Sequence, residues 1–336
     1  MFNGPMIIGG PSRCGKTTLL KILNNEKQTK FAGLPVEGLL KIYARNKKLH
    51  STKEKKLFIN EYLKRQRNIS EIKSEVARPI DYFKSTIPEV LAKIPKNIFT
   101  DTELLNNILK IYSQDMKKEY WCVCDTHPEF YFEKIKKYIS NLKLIVLIRD
   151  PREALCAGLY WRTFPNRSKS KSDSIPYRLS LWILSIEKSL DLIRKFPNDV
   201  GIVFFNSKNN LYHSISDYIE IGNNENFNSA EINKFFSYKR NKFLSPDGKW
   251  ESLINSQELS LIEKFSINYL NKLEFPFSEK YSFSNNRINF KFTLIINICK
   301  YLSKYSFPFA KSLLDWYYVF PIKKFIYSNF LSKSRF

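Results

Sequence analysis

The segment MIIGGPSRCGKTTLLKIL, residues 6–23, constrains the fold of this chain more than any other. Its apolar start predicts a short buried strand, its glycines predict a tight turn, and a helix is predicted from Lys16 to about Asn25. Residues 10–17 fit the pattern G-x-x-x-x-G-K-[ST], in which backbone N–H groups and a lysine surround a phosphate group. The segment therefore predicts an α/β chain that binds a nucleotide or another phosphate compound.

Strand and helix patterns alternate along the rest of the chain. Further strands are predicted at residues 120–124, 142–148 and 200–205, and helices at 101–117, 128–138, 151–161, 176–196 and 256–273. Residues 142–148 are apolar at nearly every position, which is typical of a central parallel strand buried on both faces. The alternation predicts a P-loop-type three-layer α/β fold with a central parallel sheet.

The 336 residues carry a formal net charge of +23. This charge predicts an anionic partner. A general composition rich in Lys, Asn and Ile is an equally good explanation of the charge. No base-reading motif is present, so nucleic acid is not predicted as a partner. The absence of a recognisable signal peptide and of an 18-residue apolar run predicts a cytoplasmic chain, soluble or peripheral to the inner membrane face.

The five cysteines have irregular spacing, which argues against a disulfide framework. Cys122 and Cys124 lie in an apolar run and are predicted to be core residues. No second Cys or His pair has zinc-binding spacing, and no metal site is predicted.

The C-terminal part of the chain differs in composition from the rest. Residues 281–336 contain nine Lys or Arg and one acidic residue, a net charge of +8, together with many aromatic residues. We predict a main domain over residues 1–280 and a basic aromatic helical extension over residues 281–336. The extension either packs on the main domain as a helical appendix or lies on a membrane or a polyanion.

A second anion anchor follows the strand at 142–148, in the run Arg149-Asp150-Pro151-Arg152-Glu153. An arginine at the carboxyl end of a parallel strand lies at the ligand edge of the sheet. With both anchors, the chain resembles the sulfotransferases that use 3′-phosphoadenosine-5′-phosphosulfate (PAPS). Their first loop, P-R-S-G-T-T, is similar to Arg13-Cys14-Gly15-Lys16-Thr17, and their second motif, R-[DN]-P-x-[DE], is matched by Arg149 to Glu153. The resemblance covers residues 5–276 and includes a closing Gly-x-Trp segment.

The resemblance implies PAPS as the sulfuryl donor and implies no metal, because Lys16 and backbone donors can hold the leaving phosphate. The implied donor-binding residues are Arg13, Cys14, Gly15, Lys16, Thr17, Thr18, Arg149, Ala157, Tyr160, Lys249 and Trp250. Lys16 stands where the family often has Thr. Ala157 stands where the family has a Ser, so that Tyr160 is the candidate for the missing hydroxyl contact.

The resemblance also implies a base for the acceptor hydroxyl. The triplet Asp125-Thr126-His127 resembles the family's K-T-H, in which the histidine is the base, and Glu37 is the second candidate. We expect Lys16 to stabilise charge on the leaving group. The implied acceptor is a hydroxyl compound, for which a glycan or a glycolipid is our interpretation.

An ATP-dependent P-loop kinase or NTPase remains the alternative. Lys16 fits the general nucleotide-binding consensus, and Asp125 closes a predicted strand where a magnesium ligand would be needed. This alternative leaves Arg149 without a role.

Overall fold

The computed structural model describes residues 2–25, 29–35, 48–59, 92, 100–125, 127–160, 174–205, 215, 218–219, 254–273 and 290–315. The chain divides into two compact units. The first unit consists of Met1–Gly10, Cys14–Ile148 and Ser189–Phe227. The second unit consists of Pro11–Arg13, Arg149–Lys188 and Asn228–Phe336. The predicted boundary at residue 280 stays a prediction.

The first unit is built on a sheet. Within the described residues, its strands are β1 (Met6–Gly9), β2 (Phe31–Pro35), β3 (Tyr120–Cys124), β4 (Lys143–Arg149, whose last residue belongs to the second unit) and β5 (Val200–Phe205). They follow the order β2-β3-β1-β4-β5, and all are parallel, with helices flanking the sheet. The predicted α/β fold class is confirmed.

Strand β1 occupies the centre of the sheet between β3 and β4. Met6 pairs with Cys122 on one side and with Lys143 on the other, and Gly9 pairs with Val146. Because parallel strands end at the same edge, the carboxyl ends of β1, β3 and β4 meet there. Every residue of β1 is buried, as is β4 after its first residue, which confirms the prediction of a central strand.

The helices α1 (Lys16–Asn25), α2 (Asp101–Asp115) and α3 (Phe132–Lys136) also belong to this unit. A capping box explains where α2 begins: Glu103 N–H donates to the Thr100 hydroxyl, and Thr100 N–H donates to the Glu103 carboxylate.

The predicted helix at 128–138 is not continuous. Residues Pro128–Phe130 form a turn of 3₁₀-helix, and α3 follows it. The N–H of Phe130 donates to His127 O, and that of Tyr131 donates to Pro128 O. These i→i+3 bonds tighten the segment before the α-helix begins.

In the second unit the described residues form helices. They are α4 (Pro151–Tyr160), α5 (Ile175–Lys195, whose residues from Ser189 belong to the first unit), α6 (Ser256–Lys272), α7 (Phe290–Tyr305) and α8 (Phe307–Leu314). None of the helices in the described part of the chain is long and apolar enough to cross a membrane.

Polar contacts join these helices. The Tyr269 hydroxyl of α6 donates to the Glu187 carboxylate of α5 at 2.7 Å, and Lys300 of α7 pairs with the same carboxylate at 3.0 Å. The Tyr177 hydroxyl of α5 donates to Asp315 at 2.6 Å, at the end of α8. The C-terminal helices are therefore integrated into this unit through α5 and α6.

Other large apolar side chains of α7 and α8 lie on the surface. We call Leu294, Ile298, Tyr301, Tyr305 and Phe309 the exposed stripe, because the α7 members recur at intervals of three or four residues. Their exposed fractions range from 39% to 76%.

All five cysteines are buried and none forms a disulfide. This confirms Cys122 and Cys124 as core residues. Burial raises the pKa of Cys122 well above its usual value, and it raises the pKa of Cys156 and Cys299 to about 12.

Candidate functional site

The predicted phosphate loop connects β1 to α1, as its sequence pattern requires. Gly10 and Gly15 have φ angles of 105° and 90°, and Arg13 between them has a φ of 68°. A Cβ on Gly10 would lie 2.2 Å from the Leu147 carbonyl oxygen of β4. Glycine at this position is therefore required both by the backbone conformation and by the close approach of the neighbouring strand.

Two side chains of the loop have different surroundings. The Lys16 ammonium donates a hydrogen bond to the Gly10 carbonyl at 2.8 Å and so crosses the loop. The Cys14 side chain is fully buried, whereas Ser12 and Arg13 are exposed. A contact between Cys14 and a ligand would therefore have to come from its backbone.

His127 lies just beyond β3, where the turn of 3₁₀-helix begins. Its backbone is left-handed, with φ 56° and ψ 46°, and the residue is 4% exposed. This conformation is uncommon for a residue other than glycine, and such outliers are concentrated at functional sites. The geometry marks His127 as a position held by its surroundings.

Glu129 is fully buried and connects His127 with the phosphate loop. One carboxylate oxygen, Oε1, lies 3.3 Å from His127 Nδ1, and the other, Oε2, accepts the Gly10 N–H at 3.2 Å. We call Gly10, Glu129 and His127 the carboxylate link. A Cβ on Gly9 would lie 2.8 Å from the Pro128 ring, so the turn also packs directly on the end of β1.

Glu129 was not predicted from the sequence. The signal for it was the string T-H-P-E, in which an acidic residue follows a histidine across a proline turn. Nothing in that string indicates that the acid is buried or that it reaches Gly10.

Asp125 is buried immediately after β3. Burial raises the pKa of Tyr131, and the negative charge of Asp125 raises it further. The carboxylate that the kinase alternative would use therefore lies close enough to Tyr131 to act on it electrostatically.

Arg149, the predicted second anchor, is the last residue of β4 and belongs to the second unit. Its side chain is buried, and Nε donates to Glu153 Oε2 at 2.8 Å. Next to it, the nearly fully buried Arg152 pairs with Asp150 at 2.7 Å and with Glu263 of α6 at 3.7 Å. Burial raises the pKa of Glu263, and the Arg152 charge partly opposes this effect.

Several predicted residues have no described side chain. Glu37, Lys249 and Trp250 lie outside the described residues. Thr18, Ala157 and Tyr160 lie in described helices, but their side chains lie outside the described part. No cluster of three or more His, Cys, Asp or Glu residues in the described segments could hold a metal ion.

The described residues combine two chemical capacities at one edge of the sheet. The loop after β1 offers a helix N-terminus and the cation of Lys16, which suit an anion. The turn after β3 offers an imidazole backed by a carboxylate, an arrangement that suits proton transfer.

No family model and no curated protein matches this sequence. Among solved structures, the sulfotransferase domain from the Synechococcus PCC 7002 olefin synthase matches with a TM-score of 0.49 and 16% identity, covering 82% of this chain and 96% of that chain. The sulfotransferase domain from the curacin biosynthetic pathway matches with a TM-score of 0.35 and 15% identity, covering 73% of this chain and 76% of that chain. Sulfotransferase STF9 from Mycobacterium avium matches with a TM-score of 0.31 and 12% identity, covering 91% of this chain and 78% of that chain.

Proposed function

We propose that this chain is a sulfotransferase that moves a sulfuryl group from PAPS to an acceptor hydroxyl. The observation that carries the proposal is the carboxylate link, in which Glu129 connects the Gly10 N–H of the phosphate loop to the imidazole of His127. Sulfuryl transfer needs an anion site for the donor and a proton acceptor for the attacking hydroxyl. The link supports both requirements at one place.

On the donor side, the residues of the loop fit the anionic part of PAPS. The backbone from Arg13 to Thr17 and the Lys16 ammonium would hold the 5′-phosphate side, and Arg149 would hold the 3′-phosphate. The donor supplies an activated sulfuryl group, whose bond to the 5′-phosphate oxygen breaks as the acceptor oxygen bonds to sulfur. Lys16 stabilises the negative charge that develops on the phosphate.

On the acceptor side, His127 takes the proton of the attacking hydroxyl. We propose a glycan or glycolipid hydroxyl as the acceptor, since a net charge of +23 favours encounter with an acidic glycan or an anionic lipid surface. Glu37 stays the second candidate for the base.

Ligand-dependent thermal stability tests the donor. We expect 3′-phosphoadenosine-5′-phosphate to raise the melting temperature of the full chain without added metal. At 100 times its Kd it should add about 2.7 kcal/mol to the free energy of unfolding. Lys16→Ala should abolish the shift. Lys137→Ala, which removes the same cation from an exposed position in the first unit, is the matched control and should keep it.

The same assay examines the kinase alternative. If only ATP with magnesium stabilises the chain, and Asp125→Asn removes that effect, the sulfotransferase proposal is wrong.

The exposed stripe supports a second proposal, peripheral binding to an anionic lipid surface. Apolar side chains on one helix face beside basic residues are typical of helices that lie in a membrane interface. Residues 281–336 supply the net charge of +8 that such a surface attracts. Co-sedimentation with phosphatidylglycerol vesicles should exceed that with phosphatidylcholine vesicles, and Tyr301→Ser with Tyr305→Ser should reduce it. Equal sedimentation with both vesicle types would contradict the proposal.

A further inference from the structure

The carboxylate link constrains which ring nitrogen of His127 carries the proton. A backbone N–H can only donate, so the Glu129 oxygen that faces Gly10 must accept. When Glu129 is ionised, both of its oxygens accept, so the nitrogen that faces Oε1, His127 Nδ1, is then the donor. A neutral imidazole with its hydrogen on Nδ1 has its lone pair on Nε2.

We propose that Glu129 is a positioning residue that fixes His127 in the Nδ1–H tautomer, so that Nε2 is the atom that accepts the proton of the acceptor hydroxyl. Its catalytic part rests on the proposed function, whereas the tautomer itself does not. The Gly10 N–H donates to the other carboxylate oxygen, Glu129 Oε2. The position of His127 is therefore tied to that of the loop after β1.

The proton balance of the step follows from this arrangement. The acceptor oxygen forms a bond to sulfur while its proton moves to Nε2, and the sulfur–oxygen bond to the 5′-phosphate breaks with its electron pair on the phosphate. The ring is then an imidazolium with a hydrogen on each nitrogen. The Glu129 carboxylate stabilises that positive charge and does not itself take the proton.

Glu129→Gln should invert the tautomer because of Gly10. The amide has the shape of the carboxylate, but one of its ends now donates. The Gly10 N–H requires the amide oxygen at the Oε2 position, which places the NH₂ group against His127 Nδ1. Nδ1 must then accept, the ring hydrogen moves to Nε2, and the lone pair that would take the proton is lost.

Nitrogen NMR of protein labelled with ¹⁵N in histidine measures this directly. The chain has three histidines, so the spectrum is simple, and His127→Asn identifies the signals of His127. At a pH where the ring is neutral, we expect the hydrogen on Nδ1 in the unmodified chain and on Nε2 in Glu129→Gln. The same tautomer in both proteins would overturn the proposal.

Kinetics test the consequence for catalysis. Glu129→Gln should lower kcat by about 100-fold or more, by analogy with an inverted tautomer in a catalytic triad, and change the KM for PAPS less than threefold. Glu129→Asp keeps a carboxylate and should recover part of the lost kcat. Glu133→Gln, the same change four residues further on, is the matched control and should keep full activity.

The two experiments separate the two proposals. If the unmodified chain has no sulfotransferase activity, the proposed function fails, and the NMR result still decides the tautomer. If the chain is active and Glu129→Gln keeps its kcat, the positioning role of Glu129 is wrong.

Discussion

The sheet edge around the phosphate loop and the helical pair α7–α8 place their side chains in opposite ways. At the sheet edge, Glu129 and His127 are buried although they are polar, and each has a partner inside the unit. On α7 and α8, the residues of the exposed stripe face water although they are apolar.

The difference shows at which positions packing inside the fold restricts the type of side chain and at which positions it does not. A buried carboxylate is tolerated when hydrogen-bond donors face its oxygens, so Glu129 depends on the Gly10 N–H and on His127. An exposed tyrosine contributes little to packing, so folding alone does not explain the stripe. A contiguous apolar surface is more often an interaction site.

The largest effect is expected at Gly10. Gly10→Ala should lower the free energy of unfolding by about 3 kcal/mol or more, because the new Cβ meets the Leu147 carbonyl oxygen and the residue has a φ of 105°. Urea denaturation followed by circular dichroism measures the change. An unchanged denaturation midpoint would show that the loop tolerates a side chain at Gly10. The sheet edge would then not be more sensitive to substitution than α7 and α8.

An intermediate effect is expected at Asp199, a partly buried acid of the first unit. Burial alone would raise its pKa, but hydrogen bonds from Lys136 at 2.8 Å and Lys143 at 2.7 Å lower it on balance. A lowered pKa means that the stabilisation is present above the unfolded-state pKa of about 3.9 and is lost as the pH falls through the folded-state value.

Asp199→Asn should therefore lower the free energy of unfolding by about 1 kcal/mol at pH 7 and make stability less dependent on pH below about 4. Denaturation at pH 7 and at pH 3 measures both quantities. The prediction is wrong if the difference between variant and parent is the same at the two pH values.

The smallest effect is expected on the exposed stripe. Tyr301→Ser and Tyr305→Ser should each change the free energy of unfolding by less than about 0.5 kcal/mol, because both side chains are more than half exposed. Phe307→Ser, at a buried position of the same helical pair, is the control and should cost about 3 kcal/mol. Equal losses at exposed and buried positions would remove the contrast between the two regions.

The strands β1, β3 and β4, which carry the candidate site, could be predicted because their apolar sequences are typical of buried strands. β1, β3 and β4 are buried throughout their central residues, and such runs are readable without tertiary information. Strand β2 was not predicted. Its sequence, FAGLP, contains glycine and proline and has weak strand propensity. It becomes a strand by pairing with β3, from Phe31 opposite Tyr120 to Pro35 opposite Cys124.

Contacts between residues far apart in the sequence also limit how much of the candidate site could be predicted. The glycine-containing turn between β1 and α1 was predicted because its backbone geometry requires residues at fixed spacing, whereas phosphate binding by this turn stays a prediction. Glu129 was not predicted, since its partner Gly10 is 119 positions away and only the fold brings the two together. Arg149 was predicted as an anion anchor, and its pairing with Glu153 was missed although a spacing of four residues at the start of a helix favours it.

Because all five cysteines are buried, the rate at which each thiol reacts reports how often the structure around it opens. A buried thiol cannot react with an alkylating reagent until the structure around it opens. The thiols are spread over the loop at Cys14, strand β3, helix α4 at Cys156 and helix α7 at Cys299. Mass spectrometry of the modified peptides over time would therefore rank these parts of the chain by opening rate, without a probe having to be engineered.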